Sequence, residues 1–264
     1  MFRKRFSDIL RNSKPAVIII LAVIVILAVV LIVVSWNNNH YNETVRGTAL
    51  DFWGNSPNLH INGQSIPFDT QVSNILIIGT DKREMSSNLP KSHRNNGQAD
   101  FLFLLSINHR EKTIRQLHID RDTMADIVVL SVLGEESGMR KAQICLAHSF
   151  GQTDAISANL TARAVSGLLF DVPIAHICSL NMNKVPEIVD FLGGVTVIPT
   201  EDHPTIDSLL IAGKPIKLDG KSAYQFVRSR TNVDDGSNLS RMVRQKTFIN
   251  GFFQAIGDFT NKNV

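Results

Sequence analysis

Hydrophobic and polar positions divide the chain into two unlike parts. From Ala16 to Val34 the sequence AVIIILAVIVILAVVLIVV is apolar without a break. About 20 such residues in a helix match the hydrocarbon core of a bilayer, so the pattern predicts one transmembrane helix over residues 15–35. The exit, SWNNNH, places Trp36 where an interfacial aromatic anchors a span. It offers no small-x-small cleavage site, which favours a retained anchor over a cleaved signal peptide. Residues 36–72 are polar, with Asn, Gly and Pro throughout, and read as a juxtamembrane spacer with room for short strands.

From Ser73 the pattern becomes denser. NILIIG (Asn74 to Gly79) is a short apolar run closed by Gly, as in a buried strand. DFLFLLSIN and TIRQLHID, joined by HREK, read as a hairpin, and DIVVLSVLG as a further strand. Helices are expected around Ala142–Phe150 and Asp154–Leu169, then a strand at AHICSLN, a helix at NKVPEIVDFLGG closed by glycines, and a strand at VTVIP. Asp219 is placed to cap a helix through GKSAYQFVRSR, and Ser237 or Asn238 to cap a last helix of about 20 residues. Met242, Phe248, Ile249, Phe252, Phe253 and Ile256 follow helical spacing in that segment. Interspersed strands and helices with a hairpin predict a mixed α/β (α+β-like) domain over 73–264, a central mixed sheet with helices packed on both faces.

Charge sharpens this division. The 264 residues carry a net charge of +3, with 27 basic and 24 acidic side chains. Positions 1–14 hold five of the basic residues (Arg3, Lys4, Arg5, Arg11, Lys14) and one acid, Asp8. Setting them aside leaves 22 basic and 23 acidic residues, so the body is near neutral and no nucleic-acid-binding surface is indicated. The basic tail before the apolar run predicts a cytoplasmic N-terminus, with everything after about Ser35 outside, in a single-pass cell-membrane protein. Cys145 and Cys178 both sit in apolar runs and read as buried free thiols, although an outside location permits a disulfide. No CxxC, HExxH, Walker A, GxGxxG or GxSxG pattern occurs.

The candidate chemistry lies where charge follows apolar elements: Asp81 and Arg83 in IGTDKR, Asp100 ahead of FLFLLS, Asp120, Arg121 and Asp122 in IDRDT, and the segment FVRSRTNVDDGSNLSRMVRQK. Such charges can simply mark exits into solvent. Taken together, carboxylates at strand mouths form a hard-oxygen site suited to Mg²⁺, and arginines bind phosphate through fixed bidentate donors. Arg241 and Arg244 are three apart and share a helix face. Arg228 and Arg230 lie on that same side only if the chain leaves helical geometry between them.

The ordered set NILIIGTDKR, ADFLFLLSIN, LHIDRDT, VPEIVDFLGGVTV, LDGKSAYQFVRSR and RMVRQ resembles the LytR–CpsA–Psr family of cell-wall ligases over about residues 73–255. The resemblance implies an extracytoplasmic phosphotransferase. Its donor is a glycopolymer (teichoic acid, capsular or related polysaccharide) on a polyprenyl-pyrophosphate lipid, its acceptor is peptidoglycan, and its product is a phosphodiester. By motif match Asp81 and Asp100 would hold Mg²⁺ (or Mn²⁺). Arg83, Arg121, Arg228, Arg230, Arg241 and Arg244 would clamp the phosphates and Gln245 would add a polar contact. Asp122 would orient an arginine or accept the proton of the attacking hydroxyl. The chain departs from the family pattern at Asp120, where Pro is usual, at Asn238 and Ser240, where Asp and Gly are usual, and in a longer loop between Asp81 and Asp100. The competing readings are a non-catalytic, membrane-tethered module that binds lipid-linked polymer or regulates envelope assembly, and an envelope-associated regulator of transcription. Helices rich in Leu, Ile, Val and Phe between about 142 and 192 suit either a lipid groove or plain core.

Overall fold

The structure, a computed structural model, describes residues 58–81, 97–131, 133–230 and 235–262. The expected transmembrane helix, the basic tail, Arg83 and Asp234 lie outside the described residues. Among the described residues no helix is long and apolar enough to cross a membrane. Asn58–Val264 forms one compact unit, which begins upstream of Ser73. Its first element is a hairpin, β1 (Asn58–Ile61) and β2 (Gln64–Pro67). Asn62 and Gly63 turn the chain with φ of 51° and 77°, the left-handed pair that two-residue hairpins favour.

The central sheet contains β3 (Val72–Thr80), β4 (Ala99–Asn108), β5 (Thr113–Ile119) and β8 (His176–Asn181), in the order β5-β4-β3-β8. β3, β4 and β5 are antiparallel to their neighbours, and β8 joins β3 in parallel. The sheet is therefore mixed, as its sequence pattern predicts. Strand alternation sends side chains to two cores. Leu76, Ile78, Leu102, Leu104 and Ile119 pack with Ile127 of β6 (Met124–Leu130) and with Ala158, Ala162 and Val165 of α1 (Asp154–Leu168). Phe101 and Phe103 face the other way. They join Val189 of α2 (Val185–Phe191), Phe226 of α3 (Gly220–Arg228) and Phe248 and Ile249 of α4 (Asn238–Lys262). Helices thus cover both faces. A small antiparallel pair, β9 (Val195–Val197) and β10 (Ile216–Leu218), completes the second layer. Gly251 lets α4 approach that pair, because a Cβ there would lie 2.1 Å from the Thr196 carbonyl oxygen.

Two elements differ from the sequence pattern. The helix expected over Ala142–Phe150 is a 3-10 helix over Ile144–Phe150, and Ala142 belongs instead to β7 (Glu136–Gln143). Pairing of Met124 with Gln143 and Ala125 with Ala142 holds these residues extended. β7 reads ESGMRKAQ and only Ala142 of it is buried, so it carries no apolar alternation to reveal it. The cysteines are free, but only Cys145 is buried; Cys178 lies exposed on β8, at the edge of the sheet.

Candidate anion-binding site

Four pieces of backbone bring the charged residues together. β3 and β4 run in register from Val72↔Asn108 to Gly79↔Phe101, then slip so that Thr80 pairs with Ala99. Asp100 is the extra residue of this bulge, a device that re-aims a side chain at the end of a ladder. Asp81 follows β3, and its N–H donates to the Gln98 carbonyl at 3.2 Å, so the two carboxylates flank one strand mouth. The turn after β5 carries Asp120, Arg121 and Asp122. The Asp120 carboxylate accepts the Asp122 N–H at 2.9 Å, a local Asx turn. The end of α3 carries Arg228 and Arg230, and the first turns of α4 carry Arg241, Arg244 and Gln245.

Local sequence builds the last two pieces. Asp219 caps α3, accepting the Ser222 N–H at 2.7 Å, and the helix stops at Arg228. Ser229 has φ −58° and ψ 137°, so the chain leaves helical geometry between Arg228 and Arg230, the condition under which both reach one side. Ser237 caps α4, accepting the Ser240 N–H at 3.1 Å. Asp235 accepts from the Ser237 N–H at 2.8 Å and from the Ser240 hydroxyl. These donors hold its carboxyl down at about 2. Asp235 thus braces the helix start.

Each strand-mouth carboxylate meets an arginine. Arg228 donates to Asp81 Oδ1 at 2.6 Å and to Asn183 Oδ1 at 2.9 Å, with its guanidinium 5.3 Å from the centre of the Tyr224 ring. Arg121 pairs with Asp100 Oδ1, donates to Gln98 Oε1 at 2.7 Å, and places Nε 3.4 Å from Asp122 Oδ1. Asp122, more exposed than Arg121, also accepts from Gln143 at 3.1 Å. Arg244 is 2% exposed and donates to the carbonyls of Phe226 at 2.5 Å and Ser229 at 2.6 Å. Gln245 donates to the Val227 carbonyl at 3.2 Å. These two residues hold the last turn of α3, and so the backbone that carries Arg228 and Arg230.

Arg241, 3% exposed, is the centre of positive charge. Burial lowers its pKa to about 10, and the nearby Arg230, Arg121 and Arg244 add to the shift against the opposing pull of Asp122. A guanidinium titrating at about 10 is still charged at neutral pH, but its proton is held less tightly, first because the group is buried and then because cations lie near it. An anion among these side chains would relieve that strain. A buried donor remains for it: Nε of Arg241 has no hydrogen-bond partner among the described residues. Such groups are uncommon in native interiors and mark places where a ligand or water belongs. The arrangement can bind a multiply charged oxyanion and stabilise charge developing on it.

The residues fit a hard divalent cation only in part. Asp81 and Asp100 each supply oxygen ligands at the strand mouth, but each engages an arginine through Oδ1. No group of three or more His, Cys, Asp or Glu able to hold a metal occurs among the described residues. Mg²⁺ commonly takes only one or two carboxylates and completes its shell with water and phosphate oxygens, so this pair fits an ion that arrives with a phosphorylated ligand.

The structure therefore brings Asp81, Asp100, Arg121, Asp122, Arg228, Arg230, Arg241, Arg244 and Gln245 to the same end of the sheet. Sequence reasoning missed Gln98, Gln143, Asn183 and Tyr224. Gln98 and Gln143 flank recognised segments, but nothing in a single sequence marks an uncharged hydrogen-bonding side chain as a partner.

A mixed sheet covered by helices on both faces has known counterparts. Residues 38–262 match the LytR_cpsA_psr family, and the chain belongs to that family. The polyisoprenyl-teichoic acid--peptidoglycan teichoic acid transferase TagU of Bacillus licheniformis is 28% identical over 177 residues, or 67% of this chain and 50% of that protein. The chain spans about half the length of the curated relatives it matches. The Lin1025 protein of Listeria innocua shares the fold with a TM-score of 0.51 and 26% identity, over 71% of this chain and 66% of that one. The family protein YwtF (TagT), solved with bound octaprenyl pyrophosphate lipid, has a TM-score of 0.51 and 22% identity, over 76% and 71% of the two chains.

Proposed function

We propose that this chain is a membrane-anchored phosphotransferase working outside the cytoplasm. It moves a teichoic acid, capsular or related glycopolymer from a polyprenyl-pyrophosphate carrier onto peptidoglycan and forms a phosphodiester. The observation that carries this reading is the buried Arg241, surrounded by Arg121, Arg230 and Arg244 and holding an unpartnered Nε. Pyrophosphate is an anion of the size and charge that such a cluster accepts. The transferase activity named for the TagU relatives and the lipid held by TagT point to the same ligand. The apolar run Ala16–Val34 behind its basic tail supplies the anchor and the orientation.

The chemistry follows from the charges. An acceptor hydroxyl attacks the phosphorus nearer the glycan, the bridging P–O bond breaks, and polyprenyl phosphate leaves with the negative charge. No protein nucleophile is required, so positioning and charge stabilisation carry the rate. Arg121 and Arg241 bind the phosphate oxygens, Arg228 and Arg230 close the rim, and Arg244 and Gln245 keep that rim in place. Asp122, partly exposed beside Arg121, orients that guanidinium or takes the hydroxyl proton. Asp81 and Asp100 would hold Mg²⁺ or Mn²⁺, which when bound neutralises charge on the pyrophosphate oxygens.

The test is reconstitution. Full-length chain in detergent is incubated with Mg²⁺, a polyprenyl-pyrophosphate-linked glycan and peptidoglycan, and covalent attachment is measured with and without EDTA. Attachment that EDTA abolishes supports the reading. Tight binding of the lipid with no covalent product would instead support the non-catalytic module.

A further inference from the structure

We infer that Asp120 and Asn238 are a matched positioning pair that fixes Arg241 relative to the turn bearing Arg121 and Asp122. This rests on the phosphotransferase reading above and deepens it. Asn238 Nδ2 donates to Asp120 Oδ1 at 2.5 Å, and Asn238 Oδ1 accepts from Arg241 Nη2. The same Asp120 oxygen accepts the Asp122 N–H at 2.9 Å. One carboxylate oxygen thus ties the turn after β5 to the first turn of α4, across 118 positions of sequence.

The chemistry of the two ends fixes the middle residue. A guanidinium only donates and an ionised carboxylate only accepts, so the group between them must accept on one side and donate on the other. An amide does both; a carboxylate at 238 would set acceptor against acceptor. Asn238 and Arg241 are 8% and 3% exposed, so neither can turn to water for another partner. Restraining Arg241 through Nη2 leaves its buried Nε without a protein partner, as a guanidinium held for a ligand requires.

The experiment is a reciprocal exchange in the full-length chain in detergent. The readouts are the affinity for inorganic pyrophosphate by calorimetry, and kcat and KM for glycan transfer. Asn238→Asp opposes two carboxylates and is expected to weaken pyrophosphate binding at least tenfold. Asp120→Asn/Asn238→Asp restores a donor facing an acceptor at the contact but removes the acceptor of the Asp122 N–H, and is expected to recover part of the lost affinity, at least threefold over Asn238→Asp. Asp120→Asn alone keeps the accepting oxygen and should bind nearly as wild type, whereas Asp120→Ala should lose affinity and lower kcat. If Asn238→Asp does not fold, the contrast between Asp120→Asn and Asp120→Ala remains decisive. A double variant no better than Asn238→Asp, or an Asp120→Ala variant with wild-type affinity, overturns the inference while leaving the transferase reading intact. A wild-type chain that neither binds pyrophosphate nor transfers glycan overturns both.

Discussion

Arg244 shows how a buried arginine of the strand-mouth cluster can act through the backbone beside it. Its donations to the Phe226 carbonyl in α3 and to the Ser229 carbonyl just after it are charge-assisted, the first of them buried. Arg244→Ala would leave both oxygens short of a donor and open a cavity, with an expected stability loss on the order of 3 kcal/mol, measured by denaturant unfolding. His118 acts through its neutrality. Burial lowers its pKa from 6.5 to about 4, against the pull of Asp120 and with the help of Arg241 and Lys246. The ring packs 4.9 Å from Phe101 and 5.9 Å from Phe103. Because the folded-state value is depressed, the folded chain binds fewer protons than the unfolded chain between pH 4 and 6.5. Its contribution is complete above about 6.5 and is lost as pH falls toward 4. Melting temperature should therefore drop between pH 7 and 5, and His118→Gln should flatten that slope. At this scale the sequence was partly legible. Charges closing apolar runs mark Asp81, Asp100 and Arg121, but the pairing of Arg228 with Asp81 spans 147 positions and leaves no local trace.

At the scale of elements, α4 contributes most to the site. Its start is fixed by Ser237 and Asp235, and its body by Phe248 and Ile249 in the second core. The close approach to β9 sets its depth. Gly251→Ala would drive a methyl into the Thr196 carbonyl and is expected to cost about 2 kcal/mol. Because α4 also carries Arg241, pyrophosphate affinity should fall alongside stability, a coupling that calorimetry on the folded variant would read. The amphipathic spacing of α4 and the Asp219 cap of α3 were readable in the sequence. β7 was not, since it is almost wholly exposed and polar and is held by pairing with β6. The bulge that sets Asp100 apart was equally hidden, because a register slip is a property of two strands and neither one encodes it alone.

At the scale of the folded unit from Asn58 onward, the fold provides a sheet whose strand mouth collects charge, with a helical layer on each side. One layer, α2, α3 and α4 with β9 and β10, carries the arginines of the rim. The other, α1 with the 3-10 helix and β6 and β7, supports the turn bearing Arg121 from below, where the Cys145 N–H donates to the Arg121 carbonyl at 3.2 Å. The ordered motifs made this architecture and the family legible, because each marks an element end that the fold gathers. The claim that joins the levels is that the buried arginines form a pyrophosphate pocket. Calorimetric titration of the full-length chain with polyprenyl pyrophosphate and with polyprenyl monophosphate, repeated for Arg121→Ala and Arg241→Ala, tests it most directly. The diphosphate should bind wild type at least tenfold more tightly than the monophosphate, and either substitution should erase that preference. Equal affinity for the two lipids, or an unchanged preference in both variants, would contradict it.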